Sequence, residues 1–155
     1  MAAKEGRGEY MRRGFTLIEL IVVIIIVGIL AAVGLTQYST IVEKGRTAEA
    51  KIRIGTMRQL AYEYYLNNGS LTGITNADVG VDNTCTSTNF YRYSVGDITS
   101  TSVDLFAGRC NSGGKTPNVS RWYYYFFYFV PDGSGTSFWR CYYADNGSPC
   151  FGLPN

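Results

Sequence analysis

From Phe15 to Leu35 the chain reads FTLIELIVVIIIVGILAAVGL, 21 residues broken by a single charge, Glu19. A helix needs about 20 such residues to cross the hydrocarbon core of a bilayer. The mean hydropathy of the whole chain is only −0.04, because the rest is polar enough to hide this block. A purely water-soluble protein is therefore not expected. The flank before the block is basic, with Lys4, Arg7, Arg12 and Arg13 outnumbering Glu5 and Glu9. That asymmetry predicts a cytoplasmic N-terminus, with the remainder carried across the membrane. Ala31, Ala32 and Gly34 could imitate a signal-peptidase site, but the block is long for a signal core and its pattern continues without a break.

The helical signal runs on well past Leu35. No proline occurs before Pro117, and Tyr38 to Asn68 is rich in Ala, Glu, Lys, Arg, Leu and Gln. Ala50, Ile54, Met57, Ala61 and Tyr64 are spaced 4, 3, 4 and 3 apart, which places them on one helix face. Asn67-Asn68-Gly69 then supplies a stop. A helix from Phe15 to Asn68 would be about 80 Å long, apolar all round in its first half and amphipathic in its second.

After Gly69 the composition turns to Gly, Ser, Thr, Asn and aromatics. Residues 70–89 read as a loop, and Phe90–Val95, Thr99–Phe106, Trp122–Val130 and Phe138–Tyr143 read as strands. Pro131 to Gly135 suits a hairpin loop between the last two. The expected fold is α+β: a long N-terminal helix with a small antiparallel sheet packed on its C-terminal half.

Charge and residue types narrow the function. The net charge of +2 comes from the first 14 residues, and the other 141 carry ten basic and ten acidic side chains. No basic field remains to hold nucleic acid. Histidine is absent, which removes the usual general base and the commonest metal ligand. Asp78, Asp82, Asp97, Asp104, Asp132 and Asp145 are scattered among turns, so no catalytic pair can be placed from sequence. Neither an enzyme, nor a cofactor, nor a metal is expected.

Cys85, Cys110, Cys141 and Cys150 all lie in the part expected outside the cytoplasm. An even count without histidine or a CxxC pair favours two disulfides over a metal site. Three connectivities are open. Cys85–Cys110 with Cys141–Cys150 closes the shorter loops and is the expected one.

Gly14-Phe15-Thr16-Leu17-Ile18-Glu19, preceded by Met11-Arg12-Arg13 and followed by the apolar helix, resembles the N-terminus of type IV pilins and type II secretion pseudopilins. The resemblance covers about residues 11–69, through Tyr64-Tyr65 and Asn68-Gly69. It implies a membrane peptidase that cuts after Gly14 and N-methylates Phe15. It also implies that Glu19 meets the amine of Phe15 on a neighbouring subunit during assembly, the alternative being a pair within one chain. The Cys141–Cys150 pair resembles the C-terminal disulfide loop of many type IV pilins. One departure stands out, for Thr36 occupies the place where many relatives carry a helix-breaking proline.

The implied layout is a leader over 1–14, starting at Met1 or Met11, a membrane or filament-core helix over 15–42, and a globular domain over 43–155. The implied function is that of a pilus subunit, first an inner-membrane precursor and then part of a surface filament for adhesion, motility or DNA uptake. Partners would be identical or related pilins, the prepilin peptidase and the inner-membrane assembly platform. A secretion pseudopilin is the alternative; two expected disulfides and no evident calcium loop favour the pilin.

Three features remain. Of 23 aromatic residues, 17 fall in 85–155, and the run Trp122 to Phe129 puts rings on both faces of one strand. One face is expected on the helix, the other under loops or a neighbouring subunit. Asn68, Asn118 and Asn146 begin Asn-x-Ser tripeptides but are read as coincidence in so Asn- and Ser-rich a chain. Asp132, Asp145 and Asn146 do not reproduce the dense oxygen spacing of a calcium loop.

Overall fold

The computed structural model describes residues 14–118 and 123–143. Over these the elements are α1 (Leu17–Asn68), β1 (Tyr91–Gly96), β2 (Val103–Arg109), β3 (Tyr123–Phe129) and β4 (Phe138–Tyr143). The chain divides into two compact units, one up to Ser39 and one from Thr40 onward.

In the first unit every apolar side chain from Phe15 to Leu35 is exposed. A helix of this length and composition can cross a membrane. With no proline to remove a donor, the helix continues unbroken through Gly28, Gly34 and position 36.

The second unit is built on the other part of α1. Ala50, Ile54, Met57 and Ala61 are fully buried and Tyr64 half-buried, as their spacing predicts. α1 stops where Gly69 takes a left-handed φ of 68°, its N–H donating to Tyr65 O at 2.8 Å.

The sheet is an antiparallel meander in the order β1-β2-β3-β4. Strand alternation sends Tyr91, Tyr93, Leu105, Ala107, Tyr125 and Phe127 into the core shared with α1. The opposite face carries Phe106, Tyr124, Phe126, Tyr128, Phe138 and Tyr142. The loop over 70–89 has no ladder of its own but buries Leu71, Ile74, Val79 and Val81. Cys85–Cys110 ties that loop to the end of β2. Their separation of 25 residues corresponds to about 3.5 kcal/mol in the chain-entropy view.

The second strand differs from expectation: it occupies Val103–Arg109 rather than Thr99–Phe106. Thr99 and Ser102 close a local turn, while Ser100 O accepts from Leu71 N at 2.9 Å. Thr99 Oγ1 accepts from Ser102 N at 2.9 Å and from Thr101 N at 3.2 Å. Hydroxyl side chains compete with a ladder in this way, and the strand begins only after them. The helix likewise starts at Leu17 rather than Phe15, because Thr16 caps it.

Candidate functional site

Gly14, Phe15 and Thr16 precede the helix in backbone without regular structure, and Phe15 is exposed. Thr16 is the N-cap. Glu19 Oε2 accepts from Thr16 N at 2.8 Å and from Thr16 Oγ1 at 2.7 Å, while Glu19 N donates to Thr16 Oγ1 at 3.4 Å. This reciprocal box satisfies donors that the first helical turn would otherwise leave open. It also places a carboxylate at the positive end of the helix dipole. The Thr-x-x-Glu spacing could have announced the cap from sequence. Its significance was absorbed by the longer motif that overlaps it. Glu19 thus hydrogen-bonds Thr16 within its own chain.

Of the four cysteines, Cys85 and Cys110 are paired and Cys141 is also disulfide-bonded. Cys150 lies outside the described residues. Asp132 is occupied by its own turn, accepting from Ser134 N at 2.9 Å and Ser134 Oγ at 2.7 Å. Asp145 and Asn146 lie outside the described residues. Asn68 Nδ2 donates to Tyr64 O at the helix end, and Asn118 N donates to Cys110 O.

Sequence reasoning missed a buried ionic network in the second unit. Arg109, on β2, grips Glu43 of α1 with two parallel bonds, Nε to Oε2 and Nη2 to Oε1, both 3.1 Å. Its other donors reach the carbonyls of Phe90, Cys110 and Thr116 at 2.9, 3.3 and 2.7 Å. Tyr123 donates to Glu43 Oε2 at 2.8 Å, and the Tyr91 hydroxyl lies 3.1 Å from that of Tyr123. Burial alone would raise the Glu43 pKa, but hydrogen bonds from Arg109 and Tyr123 outweigh it and hold the carboxyl below its usual value. The network clamps α1 to β2 and β3 through fixed geometry. It has no open face for chemistry, since Arg109 is 1% and Glu43 6% exposed.

A second missed pairing joins Asp97 and Asp104. Gly96 is opposite Asp104 in the ladder, and Asp97 follows it with a φ of 42°. Burial first, and then the Asp97 carboxylate, raise the Asp104 pKa to about 6. Nothing in the spacing of two aspartates seven residues apart reveals such a contact.

Comparison with known proteins bears on the N-terminal site. The family described as a prokaryotic N-terminal methylation motif matches residues 10–35. A fimbrial protein of Neisseria meningitidis serogroup A is 34% identical over 116 residues, covering 72% of this chain and 66% of that protein. A serogroup B fimbrial protein of the same species is 44% identical over 71 residues, 46% of this chain and 41% of that one. The type IV major pilin protein PilE1 of Neisseria gonorrhoeae is 46% identical over 59 residues, 38% of this chain and 36% of that one. The chain thus spans between 36% and 66% of the length of these relatives. No solved structure matches it. With a long apolar N-terminal helix, a four-stranded antiparallel sheet and a methylation motif at the helix start, the chain belongs to the type IV pilin family.

Proposed function

We propose that this chain is a structural, non-enzymatic subunit of a type IV pilus. It is made as a single-pass precursor in the inner membrane with its N-terminus in the cytoplasm, anchored by residues 15–42, with 43–155 as the globular domain. Prepilin peptidase cuts between Gly14 and Phe15 and methylates Phe15. An assembly platform then moves the subunit into a filament with its own kind. The observation that carries this reading is the coincidence of a methylation motif with a helix whose apolar residues from Phe15 to Leu35 are all exposed. Such a surface needs lipid before assembly and other helices after it. Relatives named as fimbrial proteins and major pilins favour a pilus subunit over a secretion pseudopilin.

Glu19 acquires its role from cleavage. Removing residues 1–14 creates an ammonium group at Phe15, beside a helix N-terminus that is itself positive. A carboxylate in an apolar helix costs about 2.5–3.5 kcal/mol at the bilayer centre, so both charges gain by meeting. The Thr16 bonds hold Glu19 at the helix start, where a neighbouring amine can reach it. Glu19→Ala should therefore leave cleavage largely intact while sharply lowering the yield of sheared surface filaments. Wild-type filament yield from this mutant would overturn the assembly role.

A further inference from the structure

The face of the sheet turned away from α1 carries a hollow distinct from the N-terminal site. Alternation along the strands sets Asp104 and Phe106 of β2, Tyr124 and Phe126 of β3, and Arg140 and Tyr142 of β4 on that face. Together with Asp97 they line a space of about 490 Å³. Gly96 permits the arrangement: a Cβ there would stand 2.6 Å from Phe106 Cε2, so the ring lies against bare backbone.

Asp104 is the anomaly. It is 7% exposed, and its Oδ1 is buried without a hydrogen-bond partner. The neighbouring Asp97 carboxylate shares a hydrogen bond with the Asp104 carboxyl when Asp104 is protonated, but once both are ionised it can only accept, and Oδ1 is left without a donor. Arg140 does not close the gap. Its guanidinium lies 4.9 Å from the centroid of Phe138 and acts on Asp104 only through space. Two acids therefore share a hollow with one cation that is engaged elsewhere.

The remaining walls are aromatic. Tyr124 and Tyr142 stack with centroids 5.3 Å apart, and Phe106 lies 5.9 Å from Tyr124 and 5.6 Å from Phe126. Ring faces attract cations, and a buried carboxylate calls for a donor. An anion would be repelled by both aspartates, and a neutral apolar guest would leave Oδ1 unmatched. We infer that this hollow binds an organic ammonium group, its charge matched by Asp97 and Asp104 and its carbon skeleton held against Phe106, Tyr124, Phe126 and Tyr142. Exposed Asp97 and Tyr142 form the entrance, and Asp104 lies at the floor.

Binding should depend on pH. The ionisable groups facing Asp104 are Asp97 beyond β1, Tyr124 on β3, and Arg140 and Tyr142 on β4, with Arg92 further along β1. The Asp104 carboxyl, its pKa raised to about 6, gains its charge as pH rises, so affinity should rise between pH 5 and pH 7.5.

The test is calorimetric titration of the full chain in nonionic detergent micelles with n-butylammonium, and with butanol as its neutral counterpart. The ammonium should bind about tenfold more tightly than the alcohol, the size expected for cation–aromatic and carboxylate contacts together. Asp97→Asn and Tyr142→Ala should each weaken ammonium binding about fivefold. Tyr62→Ala, which alters an exposed ring on α1, should not. Both entrance side chains are exposed, so the variants keep the fold, as near-UV circular dichroism will report. Equal binding of butanol, or parental affinity in both entrance variants, would overturn the inference. Either result would leave the pilus assignment standing, since that assignment rests on Gly14, Phe15, Glu19 and the apolar helix and on no residue of this hollow.

Discussion

Replacing Glu43 by Gln keeps the side-chain volume but removes the charge that Arg109 faces. The guanidinium, 1% exposed, would keep its bonds to Phe90 O, Cys110 O and Thr116 O and lose its counter-ion. Leaving one partner of a buried pair uncompensated costs about 3–5 kcal/mol. Against a domain stability of about 5–15 kcal/mol, that is a large fraction. Arg109→Met should cost less. Phe90 O still accepts from Cys110 N, Cys110 O still accepts from Asn118 N, and Glu43 keeps Tyr123 and Arg46. Combining Glu43→Leu with Arg109→Met should recover much of the loss, because an apolar pair needs no counter-ion. The assay is urea unfolding of the oxidised full chain in nonionic micelles, followed by tryptophan fluorescence. A Glu43→Gln variant within about 1 kcal/mol of the parent would show that the pair is solvated, as surface pairs are, and would refute the reasoning.

Three further outcomes follow from burial, hydrogen bonding and titration. Ile54→Asp should cost several kcal/mol by placing a carboxylate in the seam, whereas Ile52→Asp, at 73% exposed, should cost little; equal thermal melting would misplace the seam. Arg53→Asp, although exposed, should also cost something, because Arg53 donates to Gly80 O. The raised Asp104 pKa favours its protonated form in the folded state. Its contribution should be fully present below about pH 4 and lost as pH rises through about 6. Glu43 acts oppositely, its contribution being lost as pH falls. Asp104→Asn should flatten the pH 4–6 segment of the stability profile, and an unchanged segment would count against the carboxyl pair.

The parts legible in sequence were those whose signal is periodic. Ile54, Met57 and Ala61 repeat at helical spacing because a single stripe faces the sheet, whereas the all-aromatic run Tyr123 to Phe129 alternates only in burial, once the sheet has formed. What stayed hidden depends on pairs brought together by the fold. Glu43 and Arg109 are 66 residues apart, and each alone looks like one more charge. Asp97 and Asp104 meet only because β1 and β2 pair in one register. Leu71, Ile74, Val79 and Val81 sit in a segment correctly read as a loop, yet isolated apolar residues carry no period that marks them as core. At the N-terminus the signals overlapped, and the capping role of Thr16 and Glu19 lay inside the motif that identifies the family.

The central claim rests on processing at Gly14–Phe15, and mass spectrometry of the N-terminal peptide of the mature chain tests it most directly. The account predicts a chain that begins at Phe15 with one methyl group on its amine. A mature protein still carrying Met1 or Met11, or beginning at Phe15 with an unmodified amine, would contradict it.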